Sequence, residues 1–220
     1  MKTGSKVTSY YPVFLNLAGK RCVVIGGGQV ARRKVEALLE HEARVTVISP
    51  DFCPELSELA AGGRITAVTR DYREGDLEGM SVAIAATNDN ETNRAISQEA
   101  HRRGVLVNIV DDAGLSDFIV PSYLRRGDVT IAVSTAGRSP ALARKIRTRL
   151  ESEFGDEYAT LALLIDDVRT EIKERGIKVS PDTWQEALDL DSLSDLLKRE
   201  GSQKTKTILL DSLKKAKLVR

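Results

Sequence analysis

Two adjacent carboxylates, Asp111 and Asp112, directly follow the apolar run 105–110. Like charges placed side by side raise the pKa of one of the two groups, and a carboxylate with a raised pKa can act as a general base near neutral pH. The same pair is also typical of a turn or of a helix cap. The residue types alone favour neither interpretation.

The segment 137–150 carries five basic side chains and no acidic one. Ser139-Pro140 predicts the start of a helix there, with Arg138 at the end where the helix dipole and free N–H groups attract anions. This pattern indicates a site for a polyanionic ligand, although a solvated helix face has a similar composition. The same helix has an apolar stripe at i+4 spacing and must therefore pack on something, such as a second subunit. The stripe consists of Leu142, Ile146 and Leu150.

The turn Gly26-x-Gly28-x-x-Ala31 follows a β-branched run and precedes a helical pattern. In this context the spacing predicts a dinucleotide-binding site. Gly26 allows the tight turn, Gly28 lets the backbone approach a pyrophosphate, and Ala31 lets the helix pack closely on the strand. The N-terminus of the helix stabilises the anion. The alternative is a glycine-rich turn that only joins strand and helix.

The end of the second predicted strand departs from the dinucleotide rule, which expects an acidic residue there to bind the ribose 2′-hydroxyl. The chain has Ser49-Pro50-Asp51 instead, so only Asp51 could supply a carboxylate. NAD is favoured because no arginine occurs at 49–51 to meet a 2′-phosphate, but NADP stays open. Thr87 and Asn88 follow the fourth predicted strand and are expected to line the same cleft.

The elements that would position these residues alternate between strands and helices. Strands are predicted at 20–25, 44–48, 65–68, 82–86 and 105–110. Helices are predicted after Gly28, at 54–61 and from a cap at Asn90 to Gly104. This alternation is typical of an α/β protein with a Rossmann-type, doubly wound parallel sheet and helices on both faces.

The pattern changes after Asp112. Two more strands are predicted at 117–123 and 128–133, and from residue 155 onward only helices, with breaks near Gly176 and Gly201. The chain is therefore predicted to contain a Rossmann domain over 1–113, a small α+β region over 114–154 and a helical region over 155–220.

Composition excludes several classes of protein. Of the 220 residues, 41% are hydrophobic and 30% charged, which suits a soluble globular chain. No apolar run approaches the ~18 residues that span a bilayer, and no signal peptide is recognisable. Cys22 and Cys53 belong to no C-x-x-C pair and His41 and His101 are far apart, so neither a disulfide framework nor a metal site is expected. These features predict a cytoplasmic protein.

Five motifs, taken in order, resemble the precorrin-2 dehydrogenase family, also called the siroheme synthase N-terminal family. The motifs together cover about residues 10–150, and residues 151–220 match only in being helical. Five motifs in the right order are far more specific than any one of them. They are YPVFL at 11–15, which resembles an opening strand, VIGGGQVA at 24–31, AATND at 85–89, VNIVDD at 107–112 and AVSTAGRSP at 132–140.

The resemblance implies that the chain oxidises precorrin-2 to sirohydrochlorin in the biosynthesis of siroheme, a tetrapyrrole related to the porphyrins, with NAD⁺ as the hydride acceptor. Some members of the family are also ferrochelatases, which insert Fe²⁺. The resemblance further implies a homodimer formed through the central region, 114–154.

The resemblance also assigns roles to individual residues. Asp111 aligns with the catalytic aspartate, a proposed general base, whereas Asp112 aligns with no essential position. The expected cofactor-binding residues are Gly26, Gly28, Gln29, Val30, Pro50, Asp51, Thr87 and Asn88. The expected substrate-binding residues are Asn108, Ser134, Thr135 and Arg138. Precorrin-2 bears eight carboxylates, which the basic residues of 138–149 and Arg125-Arg126 would complement.

A protein of another class has the same features: a nucleotide-sensing regulator, in which a Rossmann domain carries a helical tail that binds a partner. The charge distribution favours this alternative, because a net charge of +1 conceals an acidic segment at 155–200 and a basic one at 201–220. A DNA-binding version would need a basic recognition helix. The helices predicted over 180–197 are acidic, so neither nucleic acid nor a membrane is expected as a partner.

Overall fold

The computed structural model describes residues 9–217, with side chains described up to residue 214. The chain divides into two compact units, residues 1–120 and 121–220. The division of the chain at 113 and 154 stays a prediction. In the described part of the chain, no helix has both the length and the apolar character needed to cross a membrane.

A parallel sheet forms the centre of the first unit. Its strands are β1 Arg21–Ile25, β2 Arg44–Ser49, β3 Thr66–Thr69, β4 Val82–Ala85 and β5 Leu106–Ile109. Its helices are α1 Gln29–Glu40, α2 Pro54–Ala61 and α3 Asn90–Arg103. The strands lie in the order β3-β2-β1-β4-β5, and the order changes direction between β1 and β4. This is the Rossmann order, so the predicted fold class is confirmed.

Both faces of this sheet are covered, which explains why its central strands are continuously apolar. Successive residues of a strand point to opposite faces. Val24 therefore packs with Val35 of α1 and Leu56 of α2, whereas Val23 packs on the other face with Ile96 of α3. All five side chains are fully buried. Side chains along the strands are thus covered by helices, and a ligand can contact the sheet only beyond the carboxyl ends of the strands.

A buried carboxylate holds the connection between β3 and β4 against α3. Glu99 is fully buried and accepts hydrogen bonds from the hydroxyl of Tyr72, from the N–H groups of Gly75 (3.0 Å) and Leu77 (3.3 Å) and from Nε of Arg103 (2.7 Å). Burial, followed in effect by Glu99, raises the pKa of Tyr72. The connecting loop is therefore fastened to a helix on one face of the sheet.

We predict that Glu99→Ala lowers the free energy of unfolding by about 3 kcal/mol, because four donors lose a buried, charged acceptor. Chemical denaturation would measure the change. Gln98→Ala is the matched control, since residue 98 is exposed on the same helix, and should change stability by less than about 0.5 kcal/mol. Equal effects of the two substitutions would contradict this role of Glu99.

In the second unit, a two-stranded antiparallel sheet precedes four helices among the described residues. The strands are β6 Ser122–Arg126 and β7 Val129–Val133. The helices are α4 Pro140–Glu153, α5 Glu157–Glu174, α6 Pro181–Ala187 and α7 Leu190–Lys217. Ser139 and Ser180 cap α4 and α6 with their side chains. Gly201 interrupts α7 with φ 79° and ψ 171°, where the sequence predicts a break.

The hairpin and the helices of the second unit pack closely at Gly127. A Cβ atom at this position would lie 2.9 Å from Cβ of Ala159 on α5. Helices α5 and α7 bury a separate apolar cluster, which includes Leu164, Val168 and Leu213. The helical region therefore has a core of its own.

The first strand of the predicted hairpin is shifted along the chain. The sequence predicts it at 117–123, but it is β6, Ser122–Arg126, which ends later than predicted because Arg125 and Arg126 continue the strand. Arg126 pairs with Val129, so the turn uses only two residues, and Gly127 has the positive φ that such a hairpin requires.

Two further predictions of local structure are wrong. The segment 11–15 forms no strand among the described residues, and the side chain of Tyr11 is 87% exposed. The cap of α3 is Asp89 rather than Asn90, because the carboxylate of Asp89 accepts hydrogen bonds from the N–H groups of Glu91 and Thr92.

Candidate dinucleotide site and the carboxylate beside it

The glycine turn after β1 is wedged between the ends of two neighbouring strands. Gly26 donates its N–H to the carbonyl of Ile48 (2.9 Å), and the carbonyl of Gly27 accepts a hydrogen bond from the N–H of Cys53 (2.8 Å). A Cβ atom at Gly26 would lie 2.4 Å from the carbonyl oxygen of Ala86, and one at Gly27 would lie 1.8 Å from that of Asp51. No side chain fits at either position.

Gly28 is different, because a Cβ atom there would meet no atom of the described residues within 4 Å. Gly28 is also the N-cap of α1 and supplies no side chain to the free N–H groups of the first turn. The backbone is thus exposed at a helix N-terminus, which fits a pyrophosphate. Ala31 is fully buried, as close packing of helix and strand requires.

The other predicted cofactor-binding residues of this region lie around the turn. Nε2 of Gln29 donates to the carboxylate of Glu55 on α2, and the side chain of Val30 is 37% exposed. At the end of β2, Ser49 is buried, whereas Pro50 and Asp51 are exposed. Asp51 therefore presents an exposed side chain two residues beyond the strand.

The end of β4 lies beside the turn, because Ile25 pairs with Ala85 in the sheet. Thr87 is held by Asn93: its Oγ1 donates to Oδ1 of Asn93 (3.2 Å), and Nδ2 of Asn93 donates to the carbonyl of Thr87 (3.2 Å). Asn88 is exposed. The structure therefore brings the predicted residues after β1, β2 and β4 to one edge of the sheet.

The structure distinguishes the two carboxylates that follow β5. Oδ1 of Asp112 accepts hydrogen bonds from the N–H groups of Gly114 (2.9 Å) and Leu115 (3.1 Å), so this side chain shapes the loop. Asp111 is exposed, and its carboxylate accepts no hydrogen bond from the residues that the structure describes. Its φ is 62°, an unusual conformation for a residue other than glycine. Such conformations are concentrated at functional sites.

Ser116 and Asp117, which are not among the predicted site residues, hold this loop. The hydroxyl of Ser116 donates to the carbonyl of Asp112 (2.6 Å) and accepts from the N–H of Ile109 (2.8 Å). Asp117 accepts a hydrogen bond from the N–H of Val107 (3.0 Å) and pairs with His101 of α3 (3.0 Å). The position of Asp111 is therefore fixed by contacts to β5 and to α3.

An electrostatic interaction links Asp111 to Lys34, which is half-buried on α1. Burial lowers the pKa of Lys34, Arg33 lowers it further, and the charge of Asp111 raises it. Opposite charges stabilise each other's ionised forms. The interaction connects the carboxylate to the helix that begins at the glycine turn.

Three of the four predicted substrate-binding residues already make side-chain hydrogen bonds within the protein. Asn108 is buried in the first unit and donates from Nδ2 to the carbonyl of Phe118 (2.9 Å). In the second unit, Ser134 and Thr135 accept hydrogen bonds from the N–H groups of Ala136 and Ser139, both at 3.0 Å. Arg138 is exposed. Contact of these four residues with a substrate stays a prediction.

The sheet order and the open glycine turn define a dinucleotide-binding protein of the Rossmann class. A family described as putative NAD(P)-binding matches residues 13–122, half of the chain, and the chain belongs to this family. A second family, described as the central part of a sirohaem biosynthesis protein, matches residues 126–153. The predicted cofactor class is therefore confirmed as a nicotinamide dinucleotide, NAD or NADP.

Curated relatives support the resemblance stated from the motifs. Siroheme synthase of Thioalkalivibrio sulfidiphilus is 41% identical over 186 residues, which are 82% of this chain and 37% of the relative. Siroheme synthase 1 of Aeromonas salmonicida is 34% identical over 93% of this chain and 44% of the relative. The chain thus spans less than half the length of these relatives.

A solved structure of a precorrin-2 dehydrogenase, SirC, is similar over almost the whole chain. The sequence identity is 25%, and the TM-score is 0.70 over 94% of this chain and 100% of the other. The similarity extends beyond the sheet to both units of the present structure.

We predict that alanine has different effects at two neighbouring glycines, on folding at Gly27 and on cofactor binding at Gly28. Gly27→Ala should prevent stable folding of the turn, because its Cβ atom would overlap the carbonyl of Asp51. Gly28→Ala should melt like the unmodified chain but bind NAD⁺ at least about 10-fold more weakly, because the methyl group would stand where the pyrophosphate approaches the backbone. Thermal unfolding and titration calorimetry would measure these effects. Unchanged NAD⁺ binding by Gly28→Ala would contradict this placement of the pyrophosphate.

Proposed function

We propose that the chain catalyses the NAD⁺-dependent oxidation of precorrin-2 to sirohydrochlorin. The observation that carries the proposal is the carboxylate of Asp111. It accepts no hydrogen bond from the described chain and lies at the carboxyl end of β5, on the edge that holds the glycine turn. Similarity over almost the whole chain to a precorrin-2 dehydrogenase supports the same conclusion and favours an enzyme over a nucleotide-sensing regulator.

The reaction removes a hydride and a proton from the substrate. The bound dinucleotide supplies the hydride acceptor. Asp111 accepts the proton, for which its free lone pairs and rigid loop are suited. The ammonium group of Lys34 interacts favourably with the ionised form of Asp111. The N-terminus of α1 and the backbone at Gly28 would bind the pyrophosphate of the dinucleotide.

The second unit offers cationic side chains for a substrate with many carboxylates. Arg138, Arg144 and Lys145 are exposed near the start of α4. Arg147 is engaged with Glu151 along the helix, so it contributes less free positive charge. We infer that the first turns of α4 bind carboxylates of precorrin-2, with Ser134, Thr135 and Arg138 at the preceding loop.

We predict that Asp111→Asn lowers the rate of NADH formation from precorrin-2 and NAD⁺ by about 10²–10⁴-fold, because the proton acceptor is lost. Asparagine tolerates the positive φ at this position, so the loop should keep its shape. Asp112→Asn is the matched control, since its side-chain oxygen can still accept the two N–H groups, and should keep most of the activity.

Absorbance at the wavelengths of NADH and of sirohydrochlorin would be followed together, with NAD⁺ and NADP⁺ in parallel. Failure of the unmodified chain to form either product would refute the proposal, and equal activity of Asp111→Asn would refute the role of Asp111. Insertion of Fe²⁺ is a separate proposal, supported by the names of the curated relatives. Loss of the sirohydrochlorin spectrum on adding Fe²⁺ without NAD⁺, faster than in a protein-free control, tests it.

We further propose that the chain forms a homodimer in the cytoplasm, where Cys22 and Cys53, which are both free, would stay reduced. Helix α4 buries Ala143 within its own unit but leaves Leu142 52% and Ile146 38% exposed, one turn apart. This apolar stripe supports contact with a second copy.

We predict that Ile146→Glu shifts the mass measured by light scattering from a dimer to a monomer, because the interface would then bury an unpaired charge. Leu163→Glu is the control, since Leu163 is 61% exposed on α5 and its replacement should leave the dimer intact. A monomeric unmodified chain, or a dimeric Ile146→Glu variant, would contradict this use of α4.

A further inference from the structure

The sequence rule for cofactor choice considers the end of β2, but the fold adds a second segment to that position. In this sheet the pyrophosphate site follows β1, and β2 and β3 lie on the side of the adenosine half of a dinucleotide. Ser49 pairs with Thr69, so the ends of β2 and β3 are direct neighbours. The residue after β3 therefore lies beside the residues expected at the ribose 2′-position.

That residue is an arginine. The N–H of Arg70 donates to the carbonyl of Ser49 at 3.2 Å, which fixes its backbone at the end of β2. An arginine near the 2′-position is the usual means by which Rossmann domains accept the 2′-phosphate of NADP. The absence of an arginine at 49–51 therefore does not exclude a cation at this corner of the site.

The guanidinium of Arg70 is already bound, however. Its two terminal nitrogens donate to the two carboxylate oxygens of Asp76, at 2.8 and 2.6 Å, and one of them also donates to the carbonyl of Asp71 (2.9 Å). Asp76 accepts a further hydrogen bond from the N–H of Arg73 (2.8 Å), and its side chain is only 11% exposed.

The pairing is electrostatically strong. The hydrogen bonds from Arg70 hold the pKa of Asp76 below its usual range, and those to Asp76 raise the pKa of Arg70. Bidentate arginine–carboxylate pairs combine charge with a fixed geometry. To bind a 2′-phosphate, Arg70 would have to leave a partner that is mostly buried.

We propose that the Arg70–Asp76 ion pair determines the preference of this chain for NAD⁺ over NADP⁺. Asp76 neutralises Arg70 and turns it towards the loop 71–76, so the guanidinium of Arg70 is not free to bind a 2′-phosphate. A 2′-hydroxyl needs none and binds without disturbing the pair. The proposal rests on the dinucleotide site and not on oxidation of precorrin-2.

The test is direct binding of NAD⁺ and NADP⁺ to the full chain by titration calorimetry, without substrate. The unmodified chain should bind NAD⁺ more tightly. Asp76→Asn should lower the ratio of the NADP⁺ to the NAD⁺ dissociation constant at least about 10-fold, because Arg70 is then free to bind the phosphate. Arg70→Leu in the same chain should abolish this gain.

Two single variants separate this proposal from simpler explanations. Asp71→Asn removes an exposed charge next to Arg70 but leaves the ion pair in place, so the ratio should change less than about twofold. Asp51→Asn tests whether the exposed carboxylate after β2 sets the preference instead. A ratio changed equally by Asp51→Asn or Asp71→Asn, or unchanged by Asp76→Asn, would overturn the proposal.

Arg70→Leu alone provides a second measurement if Asp76→Asn does not fold. It leaves Asp76 unpaired, so NADP⁺ should bind about 10-fold more weakly than to the unmodified chain, while NAD⁺ binding changes little. Equal weakening of both dinucleotides would overturn the proposal. A shifted ratio in a chain that does not oxidise precorrin-2 would support the proposal and refute the proposed reaction.

Discussion

The dinucleotide site depends on a steric constraint at two consecutive backbone positions. Gly26 and Gly27 lie against the carbonyl oxygens of Ala86 and Asp51, and neither position has room for a Cβ atom. This close contact joins the ends of β1, β2 and β4 at one edge of the sheet. Because the turn is held from both sides, α1 begins at a defined place, and its free N–H groups are directed to the same edge. A bulkier turn would separate the strand ends and displace the helix N-terminus that is expected to bind the anion.

The loop after β5 leaves one carboxylate, that of Asp111, exposed and without a hydrogen bond from the described residues. Asp112, Ser116 and Asp117 satisfy the backbone and side-chain donors of the loop and of β5. The carboxylate of Asp111 accepts none of these hydrogen bonds from the described residues. Its backbone has a left-handed conformation that turns the chain sharply. A residue with unused acceptors on a rigid loop is suited to proton transfer, since it needs little reorganisation before it reacts. The carboxylate of Asp111 is therefore available to accept a proton because its neighbours make the hydrogen bonds that the loop needs.

The parallel sheet could be predicted from sequence because burial on both faces leaves a simple pattern of short apolar runs. The glycine turn could also be predicted from the sequence, because its physical requirements fall within six consecutive residues. Asp111 and Asp112 could not be separated, because adjacent carboxylates differ only in hydrogen bonds that the loop creates. Gly27 occupies a position that the dinucleotide motif leaves open, and only the contact with Asp51 shows why it is glycine. The extent of β6 differs from the prediction because two arginines on an exposed hairpin have the composition of a turn.

Arg70 shows most clearly why a motif read along the chain is incomplete. It lies 21 residues after Ser49 in sequence, yet the pairing of β2 with β3 makes the two residues neighbours. A rule based on spacing considers only one strand, whereas a ligand at the edge of a parallel sheet meets the ends of several. The residue type of such a neighbour also does not show whether its charge is available to a ligand. Asp76 neutralises Arg70 from a loop whose structure the sequence does not predict. Selectivity at this edge is therefore a property of strand order and ion pairing together, and the same arginine could favour either cofactor according to its partner.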